Sequence, residues 1–161
     1  MNKAAVVRAI IARLQADLAL YAKAADSARD EATHEQSKPE NKYDTRGLEA
    51  SYLARGQSRQ ATETRIAIEQ FEALAQTLRE FGPSDAIAVG ALVELKSGKE
   101  LAIYLVGPRA GGTEVTVAGR AILVLTPQSP LGQQLLGRHA SETLPLEFGG
   151  QRREHHVVSV R

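Results

Sequence analysis

The sequence predicts an α+β chain, with a long antiparallel helical hairpin over residues 1–81 and a small, mainly antiparallel β domain with one short helix over residues 82–161. Two observations carry this reading. From Asn2 to Gln36 there is no glycine or proline, and apolar residues recur at alternating steps of four and three. At Gly82-Pro83 that period stops, and short apolar runs separated by turn residues take over.

The first helix is expected from Asn2 to about Gln36, because alanine, the best helix former, is abundant and nothing breaks the run. Val7, Ile11, Leu14, Leu18, Tyr21, Ala25, Ala28 and Ala32 trace a heptad seam that shrinks to alanine at its far end. A second helix is expected from Pro39 or Tyr43 to Phe81, with a seam through Leu53, Gln57, Gln60, Thr64, Ala67, Phe71, Leu74 and Leu78. The connection near residues 34–44 is short, so the helices run antiparallel. At about 1.5 Å per residue, arms of about 35 residues reach about 50 Å. Gly47 and Gly56, each costing about 1 kcal/mol relative to alanine, soften the distal half.

After Gly82-Pro83, strands are expected at Ile87–Leu95, Leu101–Val106, Glu114–Val117, Ala121–Leu125, Thr143–Phe148 and Glu154–Val160. Ser97-Gly98 and Gly149-Gly150 read as hairpin turns. A short helix fits between the fourth and fifth strands. Ser129 caps it, Pro130 suits its first position, Leu131, Leu135 and Leu136 form its apolar face, and Gly137 closes it.

Composition narrows the function. Twenty basic residues against 19 acidic ones give a net charge of +1, without the excess that draws a protein onto DNA or anionic lipid. Aromatic residues are 4% of the chain with no tryptophan, too few for base-stacking platforms. No cysteine is present, so disulfides and thiolate metal sites are excluded, which fits a reducing compartment. Arg8 and Arg13 interrupt the N-terminal apolar run well before the ~18 residues a membrane span needs, so the cytoplasm is the expected location. His34, His139, His155 and His156 lack metal-ligand spacing, and the adjacent His155 and His156 fall on opposite faces of a strand. No nucleophile–base pair or phosphate loop is present, and the chain is not expected to be an enzyme by itself.

Ser129-Pro130-Leu131-Gly132-Gln133-Gln134-Leu135-Leu136-Gly137-Arg138 resembles the Gre (GreA/GreB) transcript-cleavage factors. That family carries Ser-Pro, an aliphatic residue, three variable positions, two aliphatics, Gly and a basic residue after a strand and before two closing strands. The resemblance spans nearly the whole chain, is strongest over residues 120–160 and is weaker at the fingertip. It implies an FKBP-like sheet domain that docks on bacterial RNA polymerase and a coiled coil that enters the secondary channel. Acidic tip residues there help the polymerase hold a second Mg²⁺ and cut backtracked RNA, so contact with nascent RNA is indirect. The chain needs no cofactor of its own, and neither a membrane nor specific DNA is an expected partner.

The Gre tip has Asp, two residues, then Glu-Asn. Here Ser37-Lys38-Pro39-Glu40-Asn41 keeps Glu40 and Asn41 but replaces the aspartate with Ser37. Glu35 or Asp44 is a candidate replacement carboxylate, Asp44 lying one helical turn beyond Glu40. Mg²⁺ takes one or two carboxylates along with phosphate and water, which suits Glu40, Asp44 and Glu35 as tip residues assisting the polymerase metal. Ser37-x-x-Glu40 is equally a capping box. Asp30 and Glu31 read as a solvated helix end. Asn41, Arg55, Arg59, Leu131 and Arg138 are candidate polymerase contacts, although Arg55 and Arg59 also suit a solvated face and Leu131 the domain core. Tyr43 and Tyr52 are expected to pack at the distal finger, with contact to the channel wall as the alternative.

Two functions follow from the resemblance: stimulation of transcript cleavage, or occupation of the same channel without cleavage, which Ser37 favours. A prolyl isomerase is disfavoured because the second half holds only Tyr104 and Phe148 as aromatics. A generic coiled-coil adaptor is the remaining reading.

Overall fold

The computed structural model describes residues 2–34 and 45–161. Its elements are α1 (Lys3–Thr33), α2 (Arg46–Gln76), β1 (Leu92–Ser97), β2 (Glu100–Val106), β3 (Glu114–Val117), β4 (Arg120–Leu125), α3 (Pro130–Leu135), β5 (Thr143–Phe148) and β6 (Gln151–Val160). Two long helices followed by a six-stranded mixed sheet with one short helix match the expected fold class. The chain divides into two compact units, Arg13–Ile68 and Met1–Ala12 with Glu69–Arg161.

In the unit Arg13–Ile68, the buried residues are mostly small, with Leu14 and Ile68 as the larger ones. Leu14, Ala25 and Ala28 of α1 are at most 4% exposed, and Ala50, Ala54, Ala61, Thr64, Ala67 and Ile68 of α2 at most 8%. Every α1 residue of the expected seam is buried or half-buried. On α2 the expected seam fails distally: Leu53 is 55% exposed and Gln60 is exposed, while Ala50, Ala54, Gln57, Ala61, Thr64 and Ile68 carry the four-three spacing. Side-chain size misleads here, since the buried positions of distal α2 are alanines and the larger Leu53 lies outside them. Thr64 is accommodated because its hydroxyl donates to the Gln60 carbonyl at 2.9 Å.

In the other unit the buried face of the first turns of α1 widens to include Val6, Val7 and Ile10, all 0% exposed. The second helix ends at Gln76, not at Phe81. The Thr77 hydroxyl lies within reach of the Ala73 and Leu74 carbonyls at 3.3 and 3.4 Å, and the chain leaves the helix axis. Phe81 can then enter the sheet core, with the Lys3 ammonium 4.6 Å and the Arg79 guanidinium carbon 3.9 Å from its ring centroid. Lys3 Nζ also donates to the Arg79 carbonyl. Gly82-Pro83 begins a turn in which Asp85 N–H donates to the Gly82 carbonyl at 3.0 Å.

The sheet order is β3-β4-β2-β1-β6-β5, antiparallel except for the β2/β4 pair. β1 starts at Leu92, five residues later than the expected Ile87. Ile87 instead pairs with the α3 exit, donating to the Arg138 carbonyl at 2.7 Å and accepting from Gly137 N–H at 2.9 Å. The first hairpin turns at Gly98-Lys99, one residue beyond the expected pair. The Gly149-Gly150 turn is where expected, with φ 60° and 75°. The core joins Phe81 and Ile87 to Val93, Leu95, Tyr104 and Val106 of the sheet, with Leu131 and Leu135 of α3.

The β3–β4 turn places Ala118 at φ 52°, a left-handed conformation that costs a non-glycine residue about 1–2 kcal/mol. Ala118→Gly is expected to raise unfolding free energy by about 1 kcal/mol in urea titration, offset in part by the added freedom of the unfolded chain.

Candidate functional site

Two surfaces answer to the sequence expectations. The first flanks the hairpin tip. At the end of α1 the Thr33 hydroxyl donates to the Arg29 carbonyl at 3.0 Å. At the start of α2 the Thr45 carbonyl accepts from Glu49 N–H and its hydroxyl donates to the Glu49 carboxylate, both at 2.9 Å. Glu35, Ser37, Glu40, Asn41, Tyr43 and Asp44 lie between these ends, outside the described residues. Asp30 and Glu31 are exposed, as a solvated helix end requires.

Arg55 and Arg59 are exposed on α2. They share one stripe with Leu48 and Tyr52, since positions 48, 52, 55 and 59 step by four, three and four around the helix. Leu48 is 57% and Tyr52 63% exposed. Tyr52 therefore does not pack within the hairpin: it sits off the alanine seam, on the outward face. Sequence reasoning found the two arginines but missed the apolar half of the stripe. The signal was present in the spacing, once the seam is placed on the alanines.

The second surface surrounds α3. The Ser129 hydroxyl accepts from Gly132 N–H at 3.1 Å, Pro130 occupies the first turn, and Gly137 takes φ 78° beyond the last. Leu131 is 5% and Leu135 0% exposed, so both belong to the core and Leu131 offers little surface to a partner. The Gln134 side chain accepts from Glu147 N–H at 2.9 Å and donates to its carbonyl at 3.0 Å, standing in for a neighbouring strand at the β5 edge. Arg138 is exposed and lies 3.6 Å from the Glu142 carboxylate.

Glu142 also accepts from His139 N–H at 2.7 Å, which holds its carboxyl below the ordinary range, aided by the His139 ring at 3.1 Å and by Arg138. Gly82 N–H, donating at 2.7 Å, lowers the Asp85 carboxyl in the same way, with Arg79 adding to it. A carboxylate whose folded pKa is depressed stabilises the fold above its unfolded pKa, and that contribution is lost as pH falls through the folded value. Urea midpoints are therefore expected to fall between about pH 5 and about pH 3, the acid limb of carboxylate titration. The fall should be shallower in Asp85→Asn and Glu142→Gln.

Among the described residues no cluster of His, Asp or Glu could hold a metal ion. His155 and His156 take opposite faces of β6, His156 Nδ1 lying 3.2 Å from the Thr143 hydroxyl and His155 Nδ1 2.9 Å from the Arg153 carbonyl. No described helix is long and apolar enough to cross a membrane.

No protein-family model matches the chain. Over 122 residues, 73% of this chain and 72% of the relative, it is 32% identical to the transcription inhibitor protein Gfh1 of Thermus thermophilus, a GreA factor homologue. The chain belongs to the Gre family. A second Gre relative, Gfh1 of Thermus aquaticus, is 30% identical over 122 residues, 73% of this chain and 71% of its own. Among solved Gre structures, Thermus thermophilus Gfh1 aligns over 94% of both chains at 22% identity with a TM-score of 0.39. The GreA/GreB elongation factor of Nitrosomonas europaea aligns over 70% of this chain and 93% of its own, at 15% identity and a TM-score of 0.33. Membership of the Gre family rests on the sequence match.

Proposed function

We propose that the chain is a regulator that binds bacterial RNA polymerase, inserts its helical hairpin into the secondary channel and restrains transcription without stimulating cleavage. The observation that carries this reading is Ser37 where the Gre tip pattern has aspartate, in a chain whose relatives are named transcription inhibitors. With one tip carboxylate gone, capture of a second Mg²⁺ weakens, since that ion relies on one or two carboxylates. The outward stripe of Leu48, Tyr52, Arg55 and Arg59 supports a role for the distal hairpin as a contact surface, because two large apolar side chains there have no cover among the described residues.

Cleavage stimulation is the second reading, and Glu40-Asn41 favours it by matching the Gre pattern, with Asp44 or Glu35 as a substitute carboxylate. In both readings the chemistry belongs to the polymerase and its Mg²⁺, and the chain acts on RNA indirectly, in the cytoplasm. The test is a stalled, backtracked elongation complex in which RNA extension and release of short 3′ fragments are followed together. Wild type is expected to slow extension and release no additional fragments, and Ser37→Asp to gain cleavage. Cleavage by wild type that disappears in Glu40→Ala would replace the first reading with the second. No effect on either readout would remove both.

A further inference from the structure

The distal half of α2 carries a face that the hairpin does not use. Positions 48, 52, 55 and 59 lie roughly 170° around the helix from the buried line through Ala50, Ala54, Ala61, Thr64 and Ile68, at 3.6 residues per turn. Each choice on this face works against the isolated helix. Leu48 and Tyr52 leave two large apolar side chains in water. Arg55 has no acidic residue three or four positions away, where Ser51, Tyr52, Ser58 and Arg59 stand, and like charges one turn apart repel.

Gly56 is the second, independent oddity. It is exposed in the interior of a 31-residue helix, one turn beyond Tyr52 and one turn before Arg59. Nothing lies within 4 Å of a Cβ added there, so packing within the chain does not demand glycine, and neither does its helical backbone. Glycine lowers helix propensity relative to alanine. It is also the residue that lets another molecule approach a backbone closely. The face therefore has a notch between its aromatic ring and its second arginine.

We propose that Leu48, Tyr52, Arg55, Gly56 and Arg59 form one docking face that seats on the protein wall of the secondary channel, in an apolar recess flanked by carboxylates, and not on the RNA that backtracking extrudes. The proposal rests on the polymerase-binding reading and adds which surface of the hairpin makes the contact, and with what chemistry. Leu48 and Tyr52 fill the recess, the wall reaches the helix backbone at Gly56, and the two guanidinium groups meet carboxylates. Tyr and Arg are the side chains that most often carry binding energy at protein interfaces. RNA is the poorer match, since a single strand is held by a track of cations and stacked rings. Here two cations and one ring share the face with a leucine and a bare notch, which serve neither.

The test measures the affinity of the full, fluorescently labelled chain for core polymerase free of nucleic acid and for a backtracked elongation complex. Tyr52→Ser is expected to weaken binding to both about tenfold or more, the scale of a residue that anchors an interface. Arg55→Gln combined with Arg59→Gln should weaken both and flatten the salt dependence. Gly56→Ala is expected to raise the thermal midpoint of helix loss in circular dichroism and yet to bind about tenfold more weakly, because the added methyl fills the notch. A glycine that meets no partner would give the first change without the second. Leu53→Ser removes an equally exposed leucine roughly 130° around the helix from this face and should bind like wild type. Losses confined to the backtracked complex would assign the face to RNA and overturn the proposal, as would an equal loss in Leu53→Ser or wild-type affinity in Gly56→Ala. Failure of the wild-type chain to bind either form of polymerase would instead remove the polymerase reading, and this proposal with it.

Discussion

Phe71→Ala is expected to destabilise the sheet-containing unit by about 3–5 kcal/mol, the range for deleting a buried aromatic ring. Phe71 is 0% exposed and heads the fully buried side chains by volume. Its ring lies directly against the sheet backbone: a Cβ added at Gly107 would stand 2.7 Å from Phe71 Cζ and 2.8 Å from Val124 Cγ1. The wall opposite the ring is therefore main chain, fixed by Gly107 N–H donating to the Leu125 carbonyl at 2.8 Å, and it cannot collapse into the space an alanine would leave. Losses at a rigid wall fall in the upper part of the range, because the cavity persists. Urea unfolding followed by circular dichroism measures this. A loss below about 1 kcal/mol, the scale of a surface change, would mean that the ring does not anchor the helix to the sheet.

Gly132→Ala is the second large effect, expected to cost about 3 kcal/mol or more in the same titration, at or beyond the upper end of overpacking penalties. A Cβ there would lie 1.9 Å from the Thr126 carbonyl oxygen and 2.9 Å from Ser129 Oγ. That carbonyl already accepts from Ser129 N–H at 3.1 Å and from the Ser129 hydroxyl at 2.8 Å, so it has no freedom to retreat. Relief requires α3 to move, which withdraws Leu131 and Leu135 from the core. Alanine's helix propensity returns only about 1 kcal/mol. An unchanged midpoint would show that the turn before α3 yields more easily than its hydrogen bonds suggest.

Much of the fold was legible because local chemistry and tertiary packing agree. Ser129, Pro130 and Gly137 bound a helix by their own backbone preferences, and the Gly149-Gly150 turn follows from positive φ alone. The misplaced boundaries share a cause, which is long-range contact overriding local pattern. Ile87 reads as strand but is spent on Arg138 and Gly137, and Phe81 reads as helix but is drawn into the sheet core. The distal seam on α2 was misread for a different reason. Leucine at position 53 looks like core, yet the buried positions around it are Ala50 and Ala54 and Leu53 is 55% exposed. The stripe of Leu48 and Tyr52 was hidden by the same misplacement.

Action on RNA polymerase through the secondary channel is the proposed role of this chain. Its most direct test is binding of the fluorescently labelled chain to core bacterial polymerase, in competition with a cleavage-stimulating Gre factor. Saturable binding, reversed by the Gre factor and weakened by a combined Leu48→Ser, Tyr52→Ser, Arg55→Ser and Arg59→Ser variant that keeps its helical content, is the result expected. Failure to bind, or binding that the Gre factor leaves untouched, would contradict the claim.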